Sequence, residues 1–495
     1  MKLTIPRPTT AACAAVLVAM LAAVNFLAHL DEPRGAIWDE SYYLTATQRY
    51  EDGIAQFASH PPLGLMLIAA GDAFLQPNRD LNTEPLAREK KVDGSALPAG
   101  YSFMGVRLAS GLFAVIGAVL FFGLMYALTR SPLLALVFSN LYLFENAFIT
   151  QFRAAQLDAF QTAFALASLL LFVRGIQRRG RNSPEIDFLF GLACGLAAMV
   201  KLNAIVLALL GAMLIGQRMT TAWSHRSATS LALRAARDAA TMSSGFALAV
   251  ICVFTVHVTV SPHPMDPSSA AGKADGPFVT PTYREYLAGL RPFSPEVVLD
   301  AARDYGRYMV ADFEGTGRVD ANGSGPLQWP LQHRTINYRW DSDGTYTSYI
   351  QLVGNPTSWL LALLAPAAAA ALLLMHLKQP IESSDPARRT LMLFFLIDYA
   401  AFMVVHLVIG THRVLYLYHY FLGLLLAFCL IPLLLQEAVA RWPGLGRRQT
   451  EALATMTALV LAGFIFYSPL SFHHRLTKGQ CERRNLVQHV VECRT

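Results

Sequence analysis

The chain reads as an all-α integral membrane protein of about eleven transmembrane helices, on the strength of its composition, its recurrent apolar runs and the placement of its basic residues. Of its 495 residues, 54% are hydrophobic and 15% charged, whereas about a quarter of a soluble chain is charged. Apolar runs near the ~20 residues that cross a bilayer core recur along almost the whole sequence, and they leave no stretch for a large soluble domain.

Taken in order, spans are expected near residues 11–29, 103–128, 132–150, 157–173, 242–260, 357–376, 390–409, 415–436 and 451–468. The first follows Lys2 and Arg7 and runs into Asp31 and Glu32 without a small-residue cleavage site, which reads as an uncleaved anchor. The stretch 188–216 would be about 43 Å long as one helix at 1.5 Å per residue, well beyond a ~30 Å core. Arg174, Arg178, Arg179 and Arg181 precede it, and Arg218, Arg226, Arg234 and Arg237 follow it. Both basic loops belong on the cytoplasmic side, so the stretch is expected to be a hairpin of two helices turning near Lys201 and Asn203. The same parity places residues 30–102, the loop 261–356 and the tail from 469 outside. This divides the chain into a membrane module, 1–260, an exterior loop, 261–356, a second membrane module, 357–468, and an exterior tail, 469–495. The Pro, Ser, Gly and Asp-rich stretch 261–280 reads as flexible loop.

The net charge of +6 is accounted for by cytoplasmic loops beside anionic lipid and calls for no nucleic acid. Cys13, Cys194, Cys252 and Cys429 fall in apolar spans and read as small buried hydrophobes. Cys481 and Cys493 share the exterior tail, where a disulfide is expected.

Candidate chemistry gathers on the exterior side. Trp38, Asp39, Glu40, Ser41, Tyr42 and Tyr43 follow the first span. Solvated acids among aromatic interface anchors are the plain reading, but a partly desolvated carboxylate there is also suited to act as a general base. His60, Pro61, Pro62, Leu63 and Gly64 open an apolar run of about a dozen residues, too short to cross and suited to an amphipathic or re-entrant segment. Arg153 and Asp158 sit at the exterior edge of the third and fourth spans, either as plain helix ends or as an anion-binding Arg with a carboxylate nearby. Lys201, among apolar residues at the hairpin tip, either snorkels or meets an anion. Arg413 follows His412 in a short exterior turn before Tyr416, Tyr418, His419 and Tyr420, which alternatively form an aromatic belt. Lys201, Arg153 and Arg413 converging on one exterior cavity would meet the needs of a lipid phosphate.

The DE pair Asp39–Glu40, HPPLG, the RxxxxD of Arg153 and Asp158, GLACGLAAMVKLN, WPLQHRTINY, LVGNP and RVLYLYHYF occur in this order between about residues 38 and 425. Together they resemble the protein O-mannosyltransferases of the GT-C class. Residues 261–356 are too few for the β-trefoil MIR domain of the eukaryotic enzymes, so the chain looks like the bacterial branch. The family's usual KW is here Lys201 and Leu202.

The resemblance implies a cofactor-independent, inverting transfer of mannose from polyprenyl-phosphate mannose to Ser or Thr hydroxyls of exported proteins, at the exterior face of a bacterial inner membrane. Asp39 matches the family's essential acid, with Glu40 as a supporting acid that orients the acceptor or pairs with Arg153. The implied substrate-binding set is His60, Arg153, Asp158, Lys201, Trp329, His333, Arg334, Arg413 and His419. A phosphate leaving group needs no general acid, so one carboxylate suffices. Two alternatives remain: a related transferase acting on lipid A or another envelope glycan, and a lipid-linked sugar transporter. Transporters carry ionisable groups near the midplane, whereas here the charges gather at one face.

Overall fold

Residues 9–92, 96–178, 183–223, 227–317, 319–380, 384–486 and 491–493 are described by a computed structural model. The basic residues Lys2, Arg7, Arg179, Arg181 and Arg226 lie outside them. The Thr9 hydroxyl accepts from the Ala12 amide and caps α1 (Thr10–Leu27). After it come the shorter α2 (Glu40–Glu51), α3 (Leu63–Leu75) and α4 (Glu84–Ala87), followed by the long apolar α5 (Met104–Thr129). The run expected at 132–150 is broken, because α6 (Pro132–Leu143) and α7 (Asn146–Phe152) meet at 62°. Glu145 sits at this break and accepts the Ala147 and Asn355 amides and the Trp359 indole N–H. The Gly354–Asn355–Pro356 segment of LVGNP is thereby pinned to the bend; Asn355 also caps the following helix.

The helices α8 (Asp158–Gln177), α9 (Pro184–Ala198), α10 (Ala208–Ala222) and α11 (Ala228–Val260) follow. The expected turn is present: the chain extends at Lys201 and makes a 3-10 turn over Leu202–Leu207 before α10. The glycine-rich motif packs helices, because a Cβ on Gly191 would meet the Met242 carbonyl of α11, and one on Gly245 would meet the Phe188 carbonyl of α9. Small residues admit this close approach. Arg218, read from the sequence as a loop charge, is instead buried on α10, where it bonds Asp187 on α9 and Asp238 on α11 at 2.7 and 3.1 Å.

The long loop 261–356 is folded. It holds α12 (Ala270–Asp275), α13 (Pro281–Leu287), α14 (Pro295–Gly315) and the strands β1 (Ile336–Ser342) and β2 (Thr347–Leu352). The stretch 261–280 is not the flexible loop its composition suggests, since Asp275 is buried, accepts the Phe57 amide and pairs with Lys90 at 2.6 Å. The second module comprises α15 (Pro356–Lys378), α16 (Pro386–Gly410), α17 (Phe421–Arg441) and α18 (Gln449–Ser471). In the tail, β3 (Arg475–Leu476) pairs antiparallel with β2, completing a three-stranded sheet in the order β1-β2-β3, and α19 (Lys478–Glu482) follows. Cys481 and Cys493 are disulfide-bonded. Cys194 and Cys429 are buried, but Cys13 and Cys252 are exposed on helices that face outward, contrary to the reading of all four as buried.

Among the described residues, nine segments are long and apolar enough to cross a membrane, ten with α6 and α7 counted as one broken span. A parity count of eleven requires α9 as well, and its 15 residues give about 22 Å at 1.5 Å per residue, short of a ~30 Å core. Val16, Leu364, Val404 and Ile465 are exposed on α1, α15, α16 and α18, as lipid-facing positions should be, whereas the windows of α8 and α17 are 78% and 72% buried. The protein is therefore an integral membrane helical bundle.

The distribution of Arg and Lys leads to a topological expectation: Asp320→Cys in a chain without exposed thiols is labelled by an impermeant maleimide from outside. Labelling only after the inner membrane is permeabilised would invert the whole arrangement.

Candidate active site

The segment joining α1 to α2 is organised by Arg107, a fully buried charge on α5. Its Nε and Nη2 donate to the two Glu40 oxygens, each at 2.8 Å. Its other N–H groups go to the carbonyls of Leu30, Pro33 and Gly35 at 2.9 to 3.0 Å. Glu40 is itself wholly buried and also accepts the Ile37 and Ala155 amides at 2.7 and 2.6 Å. Glu40 therefore neither orients an acceptor nor pairs with Arg153. It is a positioning residue that ties α2, α5 and the loop after α7 together.

Asp39, its neighbour, keeps partial access to solvent. Trp38 just before it has φ 51°, a left-handed conformation that costs a non-glycine residue energy and is retained where the surroundings enforce it. The Trp38 ring stacks on Tyr338 at 5.1 Å and meets Tyr416 edge-on at 5.6 Å. Tyr338 reaches this place through a β-bulge, because Asn337 and Arg339 pair with the consecutive residues Gln351 and Ile350 and leave it as the extra residue. A bulge re-aims a side chain in this way.

From Tyr338 a polar chain runs inward. Its hydroxyl donates to Gln151 Oε1 at 2.6 Å, Gln151 Nε2 donates to Asp158 Oδ2 at 2.7 Å, and Lys201 Nζ donates to Asp158 Oδ1 at 2.7 Å. The Lys201 ammonium also lies 5.0 Å above the Tyr418 ring, and the Tyr418 hydroxyl is 3.5 Å from Asp39 Oδ2. Burial raises the Asp39 pKa, the Lys201 charge draws it back and Asp158 pushes it up again, leaving it at about 6.

Beyond Lys201 opens a cavity of about 520 Å³. Its polar lining includes His60, Lys201, Asn203, His406, Arg413 and His419, with Met309, Val310, Phe313 and Ile409 on its apolar side. Among the described residues, no Asp or Glu lines it. Arg413 has no acidic partner among them, and its guanidinium lies 5.6 Å from the Phe313 ring. His60 is held well below the ordinary imidazole range, first by burial and then by the Lys201 and Arg413 charges, so it is neutral at physiological pH.

Several expected site residues are placed elsewhere. Arg153 donates to the Asn25 and His29 carbonyls at 3.1 and 3.3 Å and covers the Phe472 ring, so it holds the end of α1 instead of facing the cavity. Trp329 is fully buried beneath the site against His406 and His419, with its indole N–H on Ser324. His333 is exposed and lines neither this cavity nor its neighbour. Arg334 lines that neighbouring cavity of about 420 Å³, which shares Arg413 with the first. Gln151 joins the site from tertiary placement, and Asn203, read from the sequence only as part of the turn, lines the cavity. Arg107 had a signal in the sequence, a lone charge within an apolar span.

A carboxylate poised near neutrality stands beside a cavity that combines cations with an apolar wall, an arrangement suited to a membrane enzyme that acts on an amphipathic anionic substrate. Comparisons narrow this further. The family model described as dolichyl-phosphate-mannose-protein mannosyltransferase matches residues 16–259, and that of the C-terminal four-span region of protein O-mannosyltransferase matches residues 307–490. The chain therefore belongs to the protein O-mannosyltransferase family, whose activity is mannosyl transfer to proteins. Among solved structures, it is similar to the S. cerevisiae protein O-mannosyltransferase Pmt1-Pmt2 complex bound to the sugar donor. That match has 13% identity and a TM-score of 0.81, covering 98% of this chain and 93% of that one. The Archaeoglobus fulgidus oligosaccharyltransferase AglB matches at 12% identity and TM-score 0.43, over 94% of this chain and 56% of that one. ArnT from Cupriavidus metallidurans matches at 15% identity and TM-score 0.30, over 88% and 78%. No curated protein matches the chain by sequence.

The Arg107–Glu40 pair carries a stability prediction. Breaking a buried ion pair from one side costs about 3–5 kcal/mol, so Glu40→Ala lowers the thermal unfolding midpoint sharply, while Asp39→Asn leaves it near that of the parent chain. Equal midpoints for the two variants would remove the structural role given to Glu40.

Proposed function

We propose that the chain transfers mannose, with inversion, from a polyprenyl-phosphate carrier to a Ser or Thr hydroxyl of an exported protein at the exterior face of a bacterial inner membrane. The observation that carries this reading is the adjacency of a partly accessible carboxylate with a pKa of about 6 to a cavity with two cations and no lining acid among the described residues. The yeast structure of the same fold was solved with its sugar donor bound, which supports a lipid-linked donor here.

In the proposed reaction the acceptor oxygen attacks the anomeric carbon from the face opposite the phosphate. The new C–O bond forms as the bond from carbon to phosphate oxygen breaks, and a single displacement inverts the centre. The acceptor's proton passes to Asp39. The departing polyprenyl phosphate gains negative charge, which Lys201 and Arg413 stabilise in a site largely shielded from water. Lys201 donates one N–H to Asp158 and retains two for the phosphate. The apolar wall of α14 and α16 suits the first isoprene units. This chemistry needs no cofactor, because the cations supply the stabilising charge and the phosphate leaves without protonation.

Removing the proton acceptor tests the mechanism most directly. Asp39→Asn should slow transfer to acceptor peptide by about 10² to 10⁴-fold, with donor still bound. In the parent enzyme the rate should rise with pH through an acid limb near 6, because the base works only when ionised. Lys201→Met removes a charge that favours the carboxylate, so the limb should move to higher pH while donor affinity falls. Turnover of Asp39→Asn close to that of the parent, measured with polyprenyl-phosphate mannose and a Ser/Thr peptide, would dismiss Asp39 as the base.

A further inference from the structure

The cavity wall next to Lys201 contains a string of hydrogen bonds with a fixed direction. Gln161 Nε2 donates to the Lys201 carbonyl at 3.2 Å and to Asn203 Oδ1 at 2.6 Å. That bond fixes the amide's orientation, with Asn203 Oδ1 toward Gln161 and the amide nitrogen facing the other way. That nitrogen lies 3.4 Å from His406 Nε2, while His406 Nδ1 lies 2.8 Å from the Phe402 carbonyl. A carbonyl can only accept, so the imidazole proton is on Nδ1. In the neutral ring, Nε2 then presents a lone pair to Asn203. The ring is held by Phe402 at 4.1 Å and Trp329 at 5.4 Å between centroids.

An Asn amide nitrogen has two N–H groups. One is directed at His406; the second has no protein partner among the described residues, and Asn203 is half-buried in the cavity wall with Lys201 and Arg413. The side chain therefore has a free donor aimed at the cavity, while its oxygen is engaged by Gln161. A phosphate offers acceptors alone, and it matches the two cations on the same wall.

We propose that Asn203 is a further phosphate-binding residue, donating its second amide N–H to the carrier phosphate, and that His406 is a positioning residue which aims that amide. The proposal rests on the lipid-phosphate reading of the cavity. It leaves a division of labour: Lys201 and Arg413 supply charge, and Asn203 supplies a neutral donor whose direction is set by Gln161 and His406.

The test is direct binding of undecaprenyl phosphate alone to the purified full chain in nanodiscs. Asn203→Ala should weaken it by about ten- to a hundredfold, as expected for a lost hydrogen bond to a charged group. Asn203→Asp keeps an oxygen for Gln161 but turns a carboxylate toward the phosphate, so it should weaken binding more than alanine does. His406→Leu should lose part of the same affinity, and His406→Gln, which can restore an acceptor to Asn203, should recover it. Parent-like binding by both Asn203 variants, with Arg413→Met still impaired, would overturn this inference and leave the donor reading standing. Failure of the parent chain to bind undecaprenyl phosphate would overturn both.

Discussion

The buried pair of Arg107 and Glu40 is the constraint on which the site depends. A guanidinium has five N–H groups, and all five are used: two on the Glu40 carboxylate and three on carbonyls of the segment leading out of α1. Glu40 returns the constraint by accepting amides from Ile37 and from Ala155. A charge pair so deeply buried is retained only with its polar groups satisfied, and satisfying them folds an otherwise irregular exterior segment against α5. Two consecutive acids consequently have opposite fates. Glu40 is immobilised as part of the frame, and Asp39, one residue earlier, is left partly open at the edge of the frame.

From that edge the site is assembled by parts distant in sequence. Trp38 packs on Tyr338, which holds Gln151, which holds Asp158, which holds Lys201. Tyr338 is presented by a bulge in β1, and β1 is braced through β2 by β3 of the C-terminal tail, whose end is closed by the Cys481–Cys493 bridge. The tail thus supports the residue that packs on Trp38. The bent α6–α7 pair has a comparable role, because Glu145 at its break anchors the start of α15.

The electrostatics follow from this geometry. Lys201 is shared between Asp158, the Tyr418 ring and the cavity, so it tempers the Asp39 carboxylate from one side while facing the cavity on the other. Arg413, which forms no ion pair among the described residues, although Asp320 lines the neighbouring cavity with it, is the less compensated cation. Arg153, which looked equivalent to both in the sequence, is consumed by backbone carbonyls at the end of α1. The histidines lining the cavity add hydrogen-bonding groups to this charged wall, and His60 does so without adding charge.

The membrane class, most span positions, the Lys201 turn and the Cys481–Cys493 pairing were legible in the sequence. They depend on local hydropathy, on charge relative to a membrane or on two cysteines sharing one segment. The order of the motifs carried the family resemblance for the same reason, since short local patterns survive in linear form. Tertiary structure alone decided which acid of the DE pair stays open, because that turns on a partner 67 residues away. It also decided that Arg153 and Arg218 are internal ties, that Trp329 lies beneath the cavity and not in its wall, and that Gln151 and Asn203 reach the site. A side chain's partner is set by packing between distant segments, and neither hydropathy nor spacing encodes the direction in which a buried polar group must turn to be satisfied.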